Sequence, residues 1–234
     1  MISTGMRPFW IGPVALLALL APGCAQSTAP GPSAPKSGPS SSAHAMIVNP
    51  ANIKKVGREL PPGYEVITGI PSGASPRTIL ELDADVVAKP PQCSALADPG
   101  TGRDQSAQGV SGSGAGGIVD AVVVALQPGP ATLDHDLVAP CGQWTMVGEH
   151  ATASLRLTDP PHIDGAETLG IVADIRTIVE SGSEIDSRAY TFIAYLGDYY
   201  AFTTLTTDPG SVLPALTPQF AADLLVKTVA TLRS

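Results

Sequence analysis

The chain has 234 residues, 44% hydrophobic and 15% charged, with 13 basic side chains against 21 acidic ones and a formal charge of −8. That balance excludes the basic footprint of a nucleic-acid binder, and acidity of this size favours solubility without naming a partner. Three cysteines, an odd number, leave one sulfur to be explained apart from any pair.

At the N-terminus Arg7 is the one charge before an uncharged apolar run from Phe9 to Ala21, the layout of an export signal. The run is shorter than the roughly 20 residues of a membrane-spanning helix, and Pro13 and Pro22 interrupt helical hydrogen bonding. Gly23 followed by Cys24, with Leu20 and Ala21 upstream, resembles the lipobox of bacterial lipoproteins. The resemblance implies removal of residues 1–23, a diacylglyceryl thioether and palmitate-type acylation on Cys24, and attachment to the extracytoplasmic face of the cell membrane. Pro22 stands where a small or β-branched residue is usual, so cleavage near Ala25 with release of the protein is the alternative. Buried acyl methylenes contribute about 0.8 kcal/mol each, so two or three chains hold a water-soluble domain on a bilayer. The chain after cleavage carries 12 basic and 21 acidic residues, a formal −9.

Residues 24–45 follow as a tether. From Ala25 onward they are almost entirely Ala, Ser, Pro and Gly, with nothing from which to build a core. Extended as polyproline the tether reaches about 65 Å, and as a flexible coil about 25 Å.

Residues 46–234 are long enough for one domain with a sizeable core. Asn49-Pro50 caps and opens a helix over "ANIKKVGREL", and "PPG" stops it. "YEVITGI" reads as a strand. "SPRTILELDADVVAKPPQCSALADPG" allows a helix after Ser75 and a short one around Cys93, and a long polar loop is expected to run on to Gly117. "IVDAVVVAL" is apolar on both alternating faces except at Asp120, the pattern of a central strand buried on both sides. In an oxidising compartment Cys93 and Cys141 pair with each other, and closing that loop stabilises a fold by about 4 kcal/mol. The alternative is two buried reduced thiols.

Beyond Cys141 the strands become half-buried. In "ATASLRLTD", Ala153, Leu155 and Leu157 share one face and Thr152, Ser154 and Arg156 the other. "IVADIRTIVES", "RAYTFIAYLGD" and "YYAFTTLTT" continue this pattern across short turns, an antiparallel meander. A helix from Pro218 to Leu232, capped by Thr217, closes the chain with Phe220, Leu224, Val226 or Lys227, and Val229 along its apolar stripe. The expected fold is α+β, a mainly antiparallel sheet packed by N- and C-terminal helices in a single domain.

The segments "LPPGYEV", "PPQCSALADPG", "GVSGSGAGG", "APCGQWTM", "IDGAETLG", "TFIAYLGDYY" and "FAADLLVKTVATLR" together resemble an uncharacterised group of mycobacterial lipoproteins of unknown function. That group is similar in layout to the extracellular sensor domain of PknH-type serine/threonine kinases. The resemblance implies a sheet with flanking helices, a cleft for an unidentified ligand, and a Cys93–Cys141 disulfide. This chain has neither a kinase segment nor the cysteines for a second disulfide.

Recognisable catalytic patterns are sparse. "GVSGSGAGG" precedes a valine-rich run where a phosphate loop would follow a strand and open a helix, and it has no lysine, so small-residue loop or strand entry is the reading. "LDHD" (133–136) and "HID" (162–164) have no partner at metal-ligand spacing and read as turn and cap residues. No serine sits on a strand-to-helix elbow. The remaining polar feature is a charged row, Arg156, Asp174, Arg176, Glu180 and Arg188, which reads either as cross-strand ion pairing on a solvated face or as a cleft floor. Arg156, Asp174 and Arg176, with Tyr199 and Tyr200 beside Gly197, are therefore the candidate ligand cleft. The expected function is a non-enzymatic, lipid-anchored ligand-binding or sensor-like domain without a cofactor or metal, whose partner is a small molecule, a lipid or another envelope protein. The alternative is an envelope hydrolase whose Ser/His/Asp site is assembled by the fold.

Overall fold

The computed structural model describes residues 47–82 and 86–234; the expected export signal, Cys24 and the expected tether lie outside the described residues. Nine strands form one sheet: β1 (Glu65–Ile67), β2 (Val87–Lys89), β3 (Asp104–Gly114), β4 (Gly117–Gln127), β5 (Gln143–Val147), β6 (Ala151–Thr158), β7 (Glu167–Ile178), β8 (Glu184–Tyr195) and β9 (Tyr199–Thr207). Their spatial order is β1-β3-β4-β9-β8-β7-β6-β5-β2, with every neighbouring pair antiparallel. The meander β5 to β9 is thus joined through β9 to the β3–β4 hairpin, and the short strands β1 and β2 close the two edges.

The expected α+β fold is the observed one. Asn49 accepts a hydrogen bond from Ala51 N at 3.2 Å and opens a helix over Pro50–Glu59, which is wound as a 310 helix. Four α-helices follow: α1 (Pro76–Ile79), α2 (Ser94–Ala97), α3 (His135–Val138) and α4 (Pro218–Leu232). Thr217 stands at the N-cap of α4 without a side-chain hydrogen bond, and the buried stripe is Ala221, Ala222, Leu224, Leu225, Thr228, Val229 and Leu232. Val226 is exposed, and Lys227 reaches Glu59 at 2.8 Å, so the stripe is rotated from the expected one. No helix among the described residues is long and apolar enough to cross a membrane.

The expected loop up to Gly117 is instead strand β3, paired with β4 along its whole length from Asp104↔Gln127 to Gly114↔Gly117. Its glycines make room for side chains lying across it. A Cβ on Gly112 would stand 2.5 Å from Leu60 Cδ1, and one on Gly114 would collide with the Tyr64 ring. Polar, glycine-rich composition hid a strand whose outer surface is supplied by other residues.

The two faces of the sheet carry separate apolar clusters. Over one lie the 310 helix and α4, burying Ile53, Val56, Val119, Ala121, Ala201 and Leu205 with Leu224, Leu225 and Val229. Over the other lie α1, α2, α3 and the irregular chain beside them, within residues 70–82, 90–97 and 131–141, burying Leu80, Leu82, Leu96, Val122, Val124, Trp144, Met146, Leu155 and Phe202. Strands β4, β8 and β9 are covered on both faces, which is why "IVDAVVVAL" is apolar throughout. The Cys93–Cys141 disulfide lies in the second cluster with a Cα–Cα distance of 5.5 Å, tying this cover to the start of β5.

Candidate functional site

Of the charged row, Arg156, Asp174, Arg176 and Arg188 stand on β6, β7 and β8, on the α4 side of the sheet, and Glu180 lies in the turn between β7 and β8. Register sets Thr152 opposite Arg176, Ser154 opposite Asp174, Arg176 opposite Asp186 and Asp174 opposite Arg188. Opposed residues of an antiparallel pair share a face, so these side chains line one broad open groove of about 590 Å³. Within it, Arg188 Nε donates to Asp174 Oδ1 at 2.5 Å, and Arg176 Nε donates to Asp186 Oδ1 at 3.1 Å with Glu184 at 3.4 Å. These hydrogen bonds and neighbouring charges raise both arginines' pKa values. Both cations are already answered by carboxylates.

The five residues of the expected cleft do not form one cleft. Asp174 and Arg176 line the groove, whereas Arg156 lies further along β6, opposite Val172 and Gln143 and outside the lining. Tyr200 is 0% exposed, stacked on Phe202 at 6.1 Å in the opposite cluster. Burial, followed by the charges of Asp98 and Tyr195, raises its pKa. Tyr199 is half-buried against the α4-side cluster. Alternation along β9 sends adjacent tyrosines to opposite faces, so they cannot line one opening together.

A second concavity, of about 450 Å³, opens on the other face. Its floor is set by β4, β9, β8 and β7 through Asp120, Thr206, Ser187, Ile175 and Thr177, and its roof is α1 with the turn after it. Ser75 builds that roof: Thr78 N donates to Ser75 Oγ at 3.4 Å and Ser75 N to Thr78 Oγ1 at 2.7 Å. The helix then ends with Glu81 at φ 56°, its N–H on Thr78 O and that of Leu82 on Arg77 O. This C-terminal turn usually takes glycine; here it sends Leu82 into the core and leaves Glu81 exposed at the mouth.

Asp120 is the distinctive group of this cavity. It is 5% exposed, on a strand otherwise almost wholly apolar. Across the sheet it stands between Ser111 of β3 and Thr204 of β9, and Thr204 hydrogen-bonds Thr191 at 3.0 Å, making a polar row on an apolar face. Burial raises the carboxyl pKa, and the Ser111 hydroxyl pulls it part of the way back. No basic side chain lines the cavity among the described residues. Its rim includes Ile118, 47% exposed, and Ile185, 52% exposed. The signal for this site was present in the sequence as one acid inside an apolar strand.

Other chemistry is dispersed. His135 Nε2 meets Glu167 Oε1 at 2.5 Å beside a cavity of about 350 Å³, and His162 meets Asp164 at 3.1 Å on the surface. His150 lies 3.9 Å from Glu149. None of these three histidines hydrogen-bonds a serine, and no group of three His, Cys, Asp or Glu could hold a metal among the described residues.

No curated protein matches the chain. Among solved structures it is similar to an uncharacterised protein, an Rv0999 ortholog, from Mycobacterium smegmatis, at 20% identity over 80% of this chain and 98% of that one, with a TM-score of 0.60. It also matches the extracellular domain of PknH from Mycobacterium tuberculosis, at 15% identity over 80% of this chain and 93% of that one, with a TM-score of 0.43. The former likeness shows a shared fold. Residues 49–233, nearly the whole described sheet-and-helix body, match the family of the domain of unknown function DUF5642, and the chain belongs to that family.

Proposed function

We propose that this protein is a non-enzymatic ligand-binding domain, sensor-like in layout, carried on the extracytoplasmic face of the cell membrane by a lipid on Cys24 and the tether of residues 24–45. The observation that carries the reading is the cavity between α1 and the sheet, which pairs an apolar rim with a buried carboxylate that no basic residue in its lining answers. A buried acid costs folding free energy unless it is neutralised or compensated, and a ligand supplies such compensation. The charged groove on the α4 side supports binding less well, since its arginines already have carboxylate partners. The hydrolase alternative needs a histidine beside a serine nucleophile, and the three described histidines each face a carboxylate instead.

Native mass spectrometry of the protein extracted from membranes tests both parts of this reading. The expected species begins at an acylated Cys24 and carries a non-covalent small-molecule adduct that collisional activation removes. A chain recovered without acyl groups overturns the anchor, and a chain that never carries or acquires an adduct overturns the binding role.

A further inference from the structure

We infer that the cavity beneath α1 takes an organic cation with an apolar body, its ammonium group held by Asp120 and its hydrocarbon part lying against Ile79, Ile118, Ile175 and Ile185. The inference rests on the reading of this domain as a ligand binder and names the chemical class that the same site selects.

The selectivity follows from what surrounds the carboxylate. From its own strand Asp120 is flanked along the cavity by Ile118; from β3 it faces Ser111, from β9 Thr204 and Thr206, and from the roof Thr78 and Glu81. The charged groups in the lining are therefore two acids, Asp120 and Glu81, with no described base. An anionic ligand such as a carboxylate or phosphate would be brought beside like charge in a partly desolvated site, which is unfavourable. A neutral alcohol gains the apolar contact and one hydrogen bond. An ammonium ion gains the same contact, a charge-assisted hydrogen bond to Asp120, and removal of the penalty that burial places on the ionised carboxylate. The hydroxyls of Thr78, Thr177, Ser187 and Thr206 line the remainder and can accept its other N–H groups. The cavity, at about 450 Å³, lies in the range of small-ligand sites.

The same arrangement gives the binding a pH dependence. Burial places the Asp120 carboxyl above its ordinary range, so as pH falls it takes up its proton earlier than an exposed aspartate does, and ammonium affinity is lost with that step. Glu81, at the mouth, is the other titratable group facing the cation.

Calorimetric titration of the purified full-length protein with octylammonium, octanol and octanoate, each below its micellar concentration, tests the inference. Octylammonium is expected to bind about tenfold or more tightly than octanol, octanoate to show no binding, and Asp120→Asn to remove the preference for octylammonium while leaving octanol unchanged. Equal or tighter binding of octanol or octanoate overturns the cation assignment and leaves the binding role standing. Absence of binding by all three overturns the cavity as the binding site. Ile185→Lys, at an exposed rim position, carries the test if Asp120→Asn does not fold: a tethered ammonium at the mouth is expected to suppress octylammonium binding, and undiminished binding overturns the proposal.

Discussion

The two faces of the sheet treat aspartate in opposite ways. On the α4 side Asp174 is half-exposed and holds Arg188 at 2.5 Å, one of several carboxylates that leave their groove close to electrically balanced. On the other side Asp120 is almost fully buried, has a serine for its nearest polar help and meets no cation in its cavity lining. The covers differ in the same sense. The α4 face is roofed by a fifteen-residue helix packed along its length, whereas the opposite face is roofed by irregular chain, three four-residue helices and a disulfide. A concentration of charge is therefore a poor guide to a site when the charges satisfy one another; an isolated charge under an incomplete roof is the better one.

The largest test of this contrast is the disulfide. Replacing both Cys93 and Cys141 by alanine is expected to lower unfolding free energy by about 4 kcal/mol, measured by chemical denaturation. Native-state hydrogen exchange should rise first in 70–82, 86–97 and 131–141, while amides of α4 keep their protection. Equal loosening on both faces would mean that the covers are not separately held.

The next effect concerns Asp120. Its folded-state pKa is raised by burial, so its contribution to stability is fully present below its unfolded pKa and is lost as pH rises through the folded pKa. Asp120→Asn removes that dependence. The variant is expected to be more stable than the parent at pH 7 by about 1 kcal/mol and to lose the advantage in acid, below the ordinary aspartate range. Asp98 is also raised by burial but is present in both proteins, so the difference between their pH–stability curves isolates Asp120. A pH-independent difference would show that Asp120 is compensated in the folded protein.

The smallest effect belongs to the α4-side groove. A double-mutant cycle on Asp174→Ala and Arg188→Ala is expected to give a coupling below about 1 kcal/mol that fades with added salt. A coupling well above this would make the groove an organised charge centre and remove the contrast with Asp120.

Much of the architecture was legible from local pattern. The alternation of Ala153, Leu155 and Leu157 against Thr152, Ser154 and Arg156 is the burial pattern of β6, and the doubly apolar run at 118–126 is the doubly covered strand β4. The Ser75 and Asn49 caps stand where their residue types and the following prolines indicated. Strand β3 was not legible, because the apolar groups that cover Gly112 and Gly114 come from Leu60 and Tyr64, more than forty positions earlier. Strand β5 was also missed: five residues at Gln143–Val147 carry too few alternations to separate a strand from the turn after Cys141. For the site, the sequence left the charged row open between cross-strand ion pairing and a cleft floor, and strand register supplies the specific partners, Asp174 with Arg188 and Arg176 with Asp186. Tyr199 and Tyr200 looked like one aromatic pair, and the pleat divides them between two clusters.

By itself the sequence determined the properties that depend on neighbours a few positions away: strand and helix periods, caps, and the presence of one acid in an apolar strand; it also left two cysteines to each other by count. Only the tertiary structure decided which of two acidic features meets no cation in its lining. Whether a carboxylate meets an arginine or an empty cavity depends on strand register and on how far a cover extends, and both are set by contacts between residues far apart in the chain.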